Sequence, residues 1–205
     1  MTEMSPILSH DRPRRAEPPL ALTAEIGLAR GRVHELCGIA RTTLALMLAG
    51  QCDGPILWIR PEWESGRPNP DGIWRFLMPG RLTFAEVKRR PDLLWSTEEA
   101  LRSGAAPVVV VELEEPPRLT PVRRLHLAAE AGQATTGRGP VGLLLTPGNG
   151  GAQGVETRWA LRPQPEGCWR LDRLRARMAP PAAWQVERTK PGAAPRCTKL
   201  PAVHS

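Results

Sequence analysis

Short apolar runs alternate with segments of helical periodicity along most of this 205-residue chain. Each run is bounded by glycine, proline or charged residues, which is typical of buried strands. The pattern predicts strands over residues 32–37, 55–59, 82–87, 108–112 and 141–145. Residues 108–111 are four consecutive valines. Such a β-branched run is characteristic of a central parallel strand that is covered on both faces.

Three segments between these runs have the pattern of helices. Residues 42–49 are apolar on nearly every side, so we expect a buried helix there. Residues 92–102 carry one apolar stripe and are followed by Gly104, which predicts a second helix. A third helix is predicted to begin with Thr120 as its N-cap and to end at Gly132. Helices that alternate with strands in this way predict a parallel sheet.

The pattern changes in the last quarter of the chain. Residues 159–162, 169–177 and 184–188 have the pattern of successive strands joined by short loops, with no helix between them. Strands connected in this way pair antiparallel. The sequence therefore predicts an α/β fold whose mostly parallel central sheet is flanked by helices and has antiparallel strands at its C-terminal edge.

Proline and charge mark the ends of the folded part. Residues 1–22 are rich in Pro and Arg and are predicted to be disordered, whereas residues 23–188 are predicted to form one domain. Residues 189–205 are predicted to be a flexible basic tail. The chain has neither an apolar stretch of membrane-spanning length nor a secretory signal at its N-terminus, so we expect a cytoplasmic protein without membrane contact.

The positive charge is concentrated near the C-terminus. The formal net charge is +7, and residues 157–205 hold ten of the 28 Lys and Arg residues but three of the 21 acidic ones. A localised basic surface can bind nucleic acid or an acidic partner, or it can simply be solvated. Arg170, Arg173, Arg175 and Arg177 are the candidate contacts, and alternation along a strand predicts that the last three share one face.

Residues 38–43 look like a phosphate-binding loop that lacks its essential parts. A working P-loop needs G-x-x-x-x-G-K-[ST], so that backbone N–H groups surround the phosphates and a lysine reaches them. Here three residues separate Gly38 from Thr42, and both the second glycine and the lysine are missing. Gly38, Arg41, Thr42 and Thr43 are therefore interpreted as a vestigial P-loop, with no cofactor expected.

Other candidate chemistry along the chain is sparse. Glu112 ends the valine strand, where an ATPase of this layout keeps a catalytic carboxylate, but a structural role is the preferred interpretation. His34 and Glu35 are neighbours on a strand and should face opposite sides, so they form no catalytic dyad. No metal-binding motif is present, and we expect a protein that is not an enzyme.

Two arginines on the third predicted helix are candidate contacts for a protein partner. Arg123 and Arg124 lie away from the apolar stripe of that helix, at its edge or beyond. Exposed arginines commonly serve solubility alone. On a helix that faces a partner, however, they would be natural hot spots for binding.

Several segments in order along the chain resemble the ImuA family, the RecA-like accessory proteins of the bacterial SOS-inducible mutasome. The resemblance covers about residues 28–188, although the proline-rich residues 60–80 depart from the family pattern. It is carried by Val33-His34-Glu35-Leu36, by Ile56-Leu57-Trp58-Ile59, by the Leu-Trp-Glu helix at 92–102, by the double-arginine helix at 119–130 and by Thr157-Arg158-Trp159.

The resemblance implies a truncated RecA-like fold without ATPase activity. It implies binding to an inactive Y-family polymerase homologue (ImuB) and to RecA, in support of an error-prone DnaE-type polymerase at DNA lesions. Weak, non-specific DNA contact through the basic residues would fit the same role. The main alternative is a SulA-like inhibitor of cell division, which has a RecA-like core without a P-loop. A residual ATPase is a third alternative, and the missing lysine argues against it.

Overall fold

The computed structural model describes residues 17–66, 68–187 and 193–201. Within these ranges the helices are α1 (Arg41–Ala49), α2 (Pro70–Ile73), α3 (Arg90–Ser103) and α4 (Leu119–Thr136). The strands are β1 (Leu20–Ala21), β2 (Gly27–Leu28), β3 (Arg32–Cys37), β4 (Ile56–Pro61), β5 (Leu82–Val87), β6 (Val108–Glu112), β7 (Val141–Leu145), β8 (Thr157–Pro163), β9 (Trp169–Ala176), β10 (Ala182–Glu187) and β11 (Arg196–Lys199).

Nine of these strands form one sheet, in the order β11-β10-β9-β8-β3-β7-β6-β4-β5. The pairs from β5 across to β8 are parallel, and those from β8 to β11 are antiparallel. The remaining strands, β1 and β2, pair as a separate antiparallel ribbon. The predicted fold class, with its parallel centre and antiparallel C-terminal edge, is confirmed.

Both faces of the sheet are covered, as the valine strand predicts. Val109 and Val111 of β6 pack in a cluster with the buried sides of α3 and α4. Val108 and Val110 face the other way, into a cluster with α1, α2 and the β1–β2 ribbon. The inner parallel strands β4, β6 and β7 are therefore buried on both sides, which explains their near-continuous apolar sequences, whereas the edge strand β5 is only partly buried.

Helix α4 differs from its prediction at both ends. It begins at Leu119, and no side chain caps its N-terminus, so Thr120 is not the N-cap. It also runs through Gly132 and ends at Gly137, which adopts a left-handed conformation with φ of 77°. Gly132 instead lies against α3, because a Cβ atom there would come within 2.1 Å of the Leu101 carbonyl oxygen. This glycine permits close packing of two helices.

Structure extends into both terminal segments. Leu20 and Leu22 are buried in the core, so the folded domain begins before residue 23, and β11 places residues 196–199 in the sheet. The predicted disorder of residues 1–16 lies outside the described residues, as do residues 188–192 and 202–205 of the C-terminal segment. None of the helices in the described part of the chain has the length and apolar content needed to span a bilayer.

Candidate functional site

The vestigial P-loop follows β3 and leads directly into α1. Gly38 adopts φ of 83°, and its N–H donates to the Gly148 carbonyl at 2.9 Å. The Ala40 N–H donates to the Leu161 carbonyl on β8 at 3.1 Å. A Cβ atom on Gly38 would stand 2.6 Å from the Leu161 oxygen, so the loop lies directly against the β8 backbone.

These contacts use the groups that a working P-loop offers to phosphate. In a functional loop, successive N–H groups point into an empty cradle. Here the Gly38 and Ala40 donors are taken by protein carbonyls, and the Arg41 N–H donates to the Gly38 carbonyl at 3.3 Å. The Arg41 guanidinium also approaches the Gly38 carbonyl, at 3.4 Å. Phosphate could use the Gly38 and Ala40 N–H groups only after it had displaced the Gly148 and Leu161 carbonyls.

A buried glutamate holds the segment that closes the loop. Glu35 on β3 is fully buried, and its carboxylate accepts hydrogen bonds from the Thr146 hydroxyl at 2.7 Å and the Gly151 N–H at 2.8 Å. It also forms an ion pair with Arg158, its register neighbour on β8. Glu35 therefore holds the segment 146–151 in place. This segment contains Gly148, whose carbonyl accepts the hydrogen bond from the Gly38 N–H.

The sequence predicted the orientation of Glu35 but not this role. His34 faces the opposite side of β3, where its ring nitrogens contact the Ala29 carbonyl at 2.9 Å and the Thr157 hydroxyl at 2.7 Å. No dyad forms between the two side chains, as expected. Burial lowers the pKa of His34 to about 4, so the ring is neutral at physiological pH.

A polar crevice of about 360 Å³ lies where β4, β6 and β7 end, beside the start of α1. Arg41 and Thr42 line it together with the carboxylates of Glu64, Glu112 and Glu114. Glu114 pairs with Arg90 at 2.7 Å, and Glu112 lies 3.9 Å from Arg60, so the crevice has no excess of positive charge to attract a polyphosphate. Among the described residues, no cluster of His, Cys, Asp and Glu side chains could hold a metal ion.

Glu112 has the contacts of a structural residue. Its carboxylate accepts a hydrogen bond from the Trp58 indole at 2.6 Å, and the Arg60 Nε lies 3.9 Å away. Burial raises the pKa of Glu112, against the lowering effects of Trp58 and Arg60. Arg60 is itself buried and donates to the Glu64 and Gly66 carbonyls. The carboxylate thus ties β6 to β4 and, through Arg60, to the loop that follows β4.

Arg123 and Arg124, the candidate partner contacts, differ in their surroundings. Arg124 forms an ion pair with Glu98 of α3 at 2.8 Å, and Glu98 also contacts Arg102. Arg124 therefore joins two neighbouring helices. Arg123 is exposed and lines a groove of about 450 Å³ between α4 and the segments at residues 154–156 and 177.

The polar floor of this groove is held in place by internal contacts. His126 accepts the Val33 N–H at its Nδ1, 3.3 Å away, which leaves Nε2 to donate to the Gly154 carbonyl at 3.1 Å. Burial lowers the pKa of His126, so the ring remains neutral. Arg32 forms an ion pair with Glu130 of α4 and lies 3.8 Å from Glu156. The floor is a network with its own partners.

The C-terminal arginines do not form the row that the sequence predicted. Arg158 pairs with Arg175 and Trp159 pairs with Arg173, so Leu174 is an extra residue in a β-bulge. The bulge turns Arg173 and Arg175 to opposite faces, and β9 ends before Arg177. The prediction that these three arginines share a face is wrong.

Most of these arginines form contacts with other residues of the same chain. Arg173 stacks against the rings of Trp159 and Trp184, at 5.7 and 5.3 Å, and donates to the Pro180 carbonyl at 2.9 Å. Arg170 binds Asp172 at 2.8 Å. Arg177 lies 4.0 Å from Glu156 at the edge of the groove, and Arg175 is exposed without an ion-pair partner in the described part of the chain. DNA contact at these residues stays a prediction.

Comparison with known proteins gives a distant structural neighbour. No known protein-family model matches the chain, and no curated protein sequence matches it. A crystal structure of SulA from Pseudomonas aeruginosa is similar, with a TM-score of 0.45 and 23% sequence identity. The match covers 57% of this chain and 98% of the SulA chain. This likeness is too distant to support an assignment of function.

Proposed function

We propose that this protein is a non-catalytic adaptor in damage-induced translesion synthesis. In this role it binds an inactive Y-family polymerase homologue of the ImuB type, and RecA, and so supports an error-prone DnaE-type polymerase. The observation that carries the non-catalytic part is the closed P-loop. The Gly38 N–H is bonded to the carbonyl of Gly148, in the loop after β7, and the Ala40 N–H to the carbonyl of Leu161, on β8.

The cost of opening this loop supports the proposal. Leu161 lies on β8 and is fully buried, and Gly148 belongs to the segment that Glu35 holds through four hydrogen bonds. A nucleotide would have to break these contacts before it could bind the Gly38 and Ala40 N–H groups. Arg41 precedes Thr42 in place of the missing lysine, but its guanidinium lies 3.4 Å from the Gly38 carbonyl, so its attraction for the phosphates would be reduced.

The resemblance to the ImuA family supports the choice of partner. Its two more specific segments lie on α3 and α4, which pack side by side on one face of the sheet. Each exposes a side chain of a type that often anchors protein interfaces. Trp95 is 60% exposed on α3, and Arg123 lies in the groove beside α4.

A binding assay with purified proteins tests the proposal. The full chain is mixed with the Y-family polymerase homologue encoded in the same genome, and the mixture is analysed by size-exclusion chromatography. We expect a complex that persists without nucleotide. In parallel, ATP titration should show no binding up to about 1 mM, which corresponds to about −4 kcal/mol. A micromolar dissociation constant for ATP would contradict the non-catalytic part.

A second assay with the same purified protein distinguishes the adaptor role from the alternative function, inhibition of cell division. A closed loop is equally compatible with a division inhibitor of the SulA type, so the chain is also added to the tubulin-like division protein during polymerisation. We expect polymerisation to be unchanged. Inhibition at stoichiometric concentrations, without binding to the polymerase homologue, would replace the adaptor role by division inhibition.

A further inference from the structure

The geometry points to the groove beside α4 as a docking site for an acidic amphipathic helix of a partner protein. The inference deepens the proposed adaptor role and rests on it in one respect, namely that the chain has a protein partner. Three properties of the groove support it: its apolar rim, its single unpaired charge, and its spacing.

The rim of the groove is formed by two leucines on one stripe of α4. Leu119 and Leu127 are 45% and 64% exposed, and both line the groove. They are eight residues apart, so they lie about 12 Å apart along the helix axis. The opposite side of α4, with Val122, Leu125 and Ala129, is fully buried. Leu127 is therefore not part of the core, whereas the Cδ1 atom of Leu119 lies close to Gly154 in the groove.

Arg123 lies midway between these leucines and has no ion-pair partner in the described part of the chain. The other polar groups of the groove are engaged internally, with Arg32 on Glu130 and Glu156 and with a neutral His126 on backbone groups. Arg177 lies 4.0 Å from Glu156, and its side chain is 68% exposed. Three arginines against two glutamates leave the groove with a net positive charge.

This arrangement fits a helix that carries apolar residues and carboxylates. Two apolar positions about two turns apart match the anchor spacing with which amphipathic helices bind grooves. A carboxylate of the partner helix could then pair with Arg123 while its apolar residues cover Leu119 and Leu127. The net positive charge of the groove therefore favours a partner helix that carries acidic residues.

Two other occupants fit the groove less well. A second copy of this chain, related by twofold symmetry, would bring the same patch to itself and so place Arg123 and Arg177 of both copies together. Single-stranded nucleic acid is bound by aromatic platforms, whereas the rim here is aliphatic. A protein helix satisfies both the leucines and the arginine.

The test is a selection of phage-displayed peptides of about 15 residues, four helical turns, on the full chain. We expect binders with apolar residues spaced three or four positions apart and with Asp or Glu between them. Arg123→Glu and Leu127→Ala should each weaken binding of a selected synthetic peptide by at least about tenfold. Arg75→Glu, after α2, and Leu174→Ala, on β9, are matched controls, since both residues are exposed and lie outside the groove. These controls should leave the affinity within about twofold.

Several results would overturn the inference. They are binders without acidic residues, binders that tolerate both groove variants, a selection without binders, or a dimer of the chain that Leu127→Ala dissociates. In the assay with the polymerase homologue, the groove variants should lose the complex that the unmodified chain forms. If they retain it, the groove is not its docking site although the adaptor role stands. If the unmodified chain forms no complex, the adaptor role fails, and the peptide selection alone decides the groove.

Discussion

The regions at the two ends of strand β3 differ in how many of their polar and apolar groups lack a partner. After its carboxyl end, the Gly38 and Ala40 N–H groups donate to protein carbonyls, and Gly38 has no room for a Cβ atom. At its amino end, Arg32 lies in a groove where Arg123 has no ion-pair partner in the described part of the chain and two leucines are exposed. In α/β sheets the first of these positions normally binds the ligand. Here that position borders a polar crevice, and the groove with an apolar rim lies at the opposite end of the strand.

This contrast shows that a recognisable fold motif and a usable site are separate properties. The turn from β3 into α1 keeps the shape of a phosphate loop, yet its Gly38 and Ala40 N–H groups already donate to protein carbonyls. The groove beside α4 corresponds to no sequence motif, yet it retains groups that a partner can satisfy. Variants that disturb one region and spare the other test whether the two are as different as their contacts indicate.

The largest expected effect is the loss of the buried charge that holds the closed region. Glu35→Gln removes the carboxylate that pairs with Arg158 and leaves that guanidinium, with 19% of its side chain exposed, without its counter-ion. Breaking a buried pair in this way costs about 3–5 kcal/mol. Urea unfolding should show this decrease in the free energy of unfolding.

A matched substitution in the groove should behave differently. Glu130→Gln removes the partner of Arg32 at a carboxylate whose side chain is 47% exposed. Exposed pairs contribute about 1 kcal/mol or less. Equal losses for the two variants would mean that Glu35 is no more buried in solution than Glu130, and the closed region would then have to be reconsidered.

The second prediction concerns the packing that positions α4. Gly132→Ala places a Cβ atom 2.1 Å from the Leu101 carbonyl oxygen, so α3 and α4 must separate. We expect a loss of about 1–3 kcal/mol, as for other overpacked sites, despite the better helix propensity of alanine. Thermal unfolding would measure it. Gly72→Ala on α2 is the control, since no atom lies within 4 Å of its added Cβ, and it should be neutral or slightly stabilising.

Local patterns in the sequence predicted the fold class and most strands and helices. They predicted few of the side-chain contacts at the vestigial P-loop and in the groove beside α4. The four valines of β6 predict a strand covered on both faces, because consecutive apolar residues place apolar side chains on both sides of the sheet. Gly132 was misread as a helix end because a stop glycine and a packing glycine look alike without the neighbouring helix. The bulge at Leu174 breaks the strict alternation on which the arginine row depended. Glu35 binds groups more than a hundred residues away, which no local pattern contains.

The third prediction is a loss of stability in mild acid. Burial lowers the pKa of His34 to about 4, whereas the unfolded chain takes up this proton near the ordinary value of 6.5. The unfolded state therefore binds more protons below pH 6.5, so stability is lost as the pH falls from 6.5 towards 4. At about 1.4 kcal/mol per pH unit, His34 accounts for about 2 kcal/mol at pH 5. His126 acts in the same direction because burial lowers its pKa too.

Urea unfolding at several pH values between 5 and 7.5 measures this slope. The variant His34→Gln should be less stable at neutral pH, yet its stability should depend less on pH over this interval. An unchanged slope in the variant would show that His34 does not titrate between the folded and unfolded states as its burial implies. The acid sensitivity would then have to be assigned to other groups.

The smallest expected effect separates two neighbours on α3. Helical periodicity over residues 92–102 places Leu94 on the apolar stripe and Trp95 beside it, which predicts that truncating both would unfold the protein. In the structure Leu94 packs against the core, whereas Trp95 is 60% exposed. Trp95→Ala should therefore change the free energy of unfolding by no more than about 0.5 kcal/mol. Leu94→Ala should cost more, and a loss of several kcal/mol for Trp95→Ala would instead place the indole in the core. If the tryptophan variant keeps its stability but binds the polymerase homologue more weakly, the partner surface extends from the groove beside α4 onto α3.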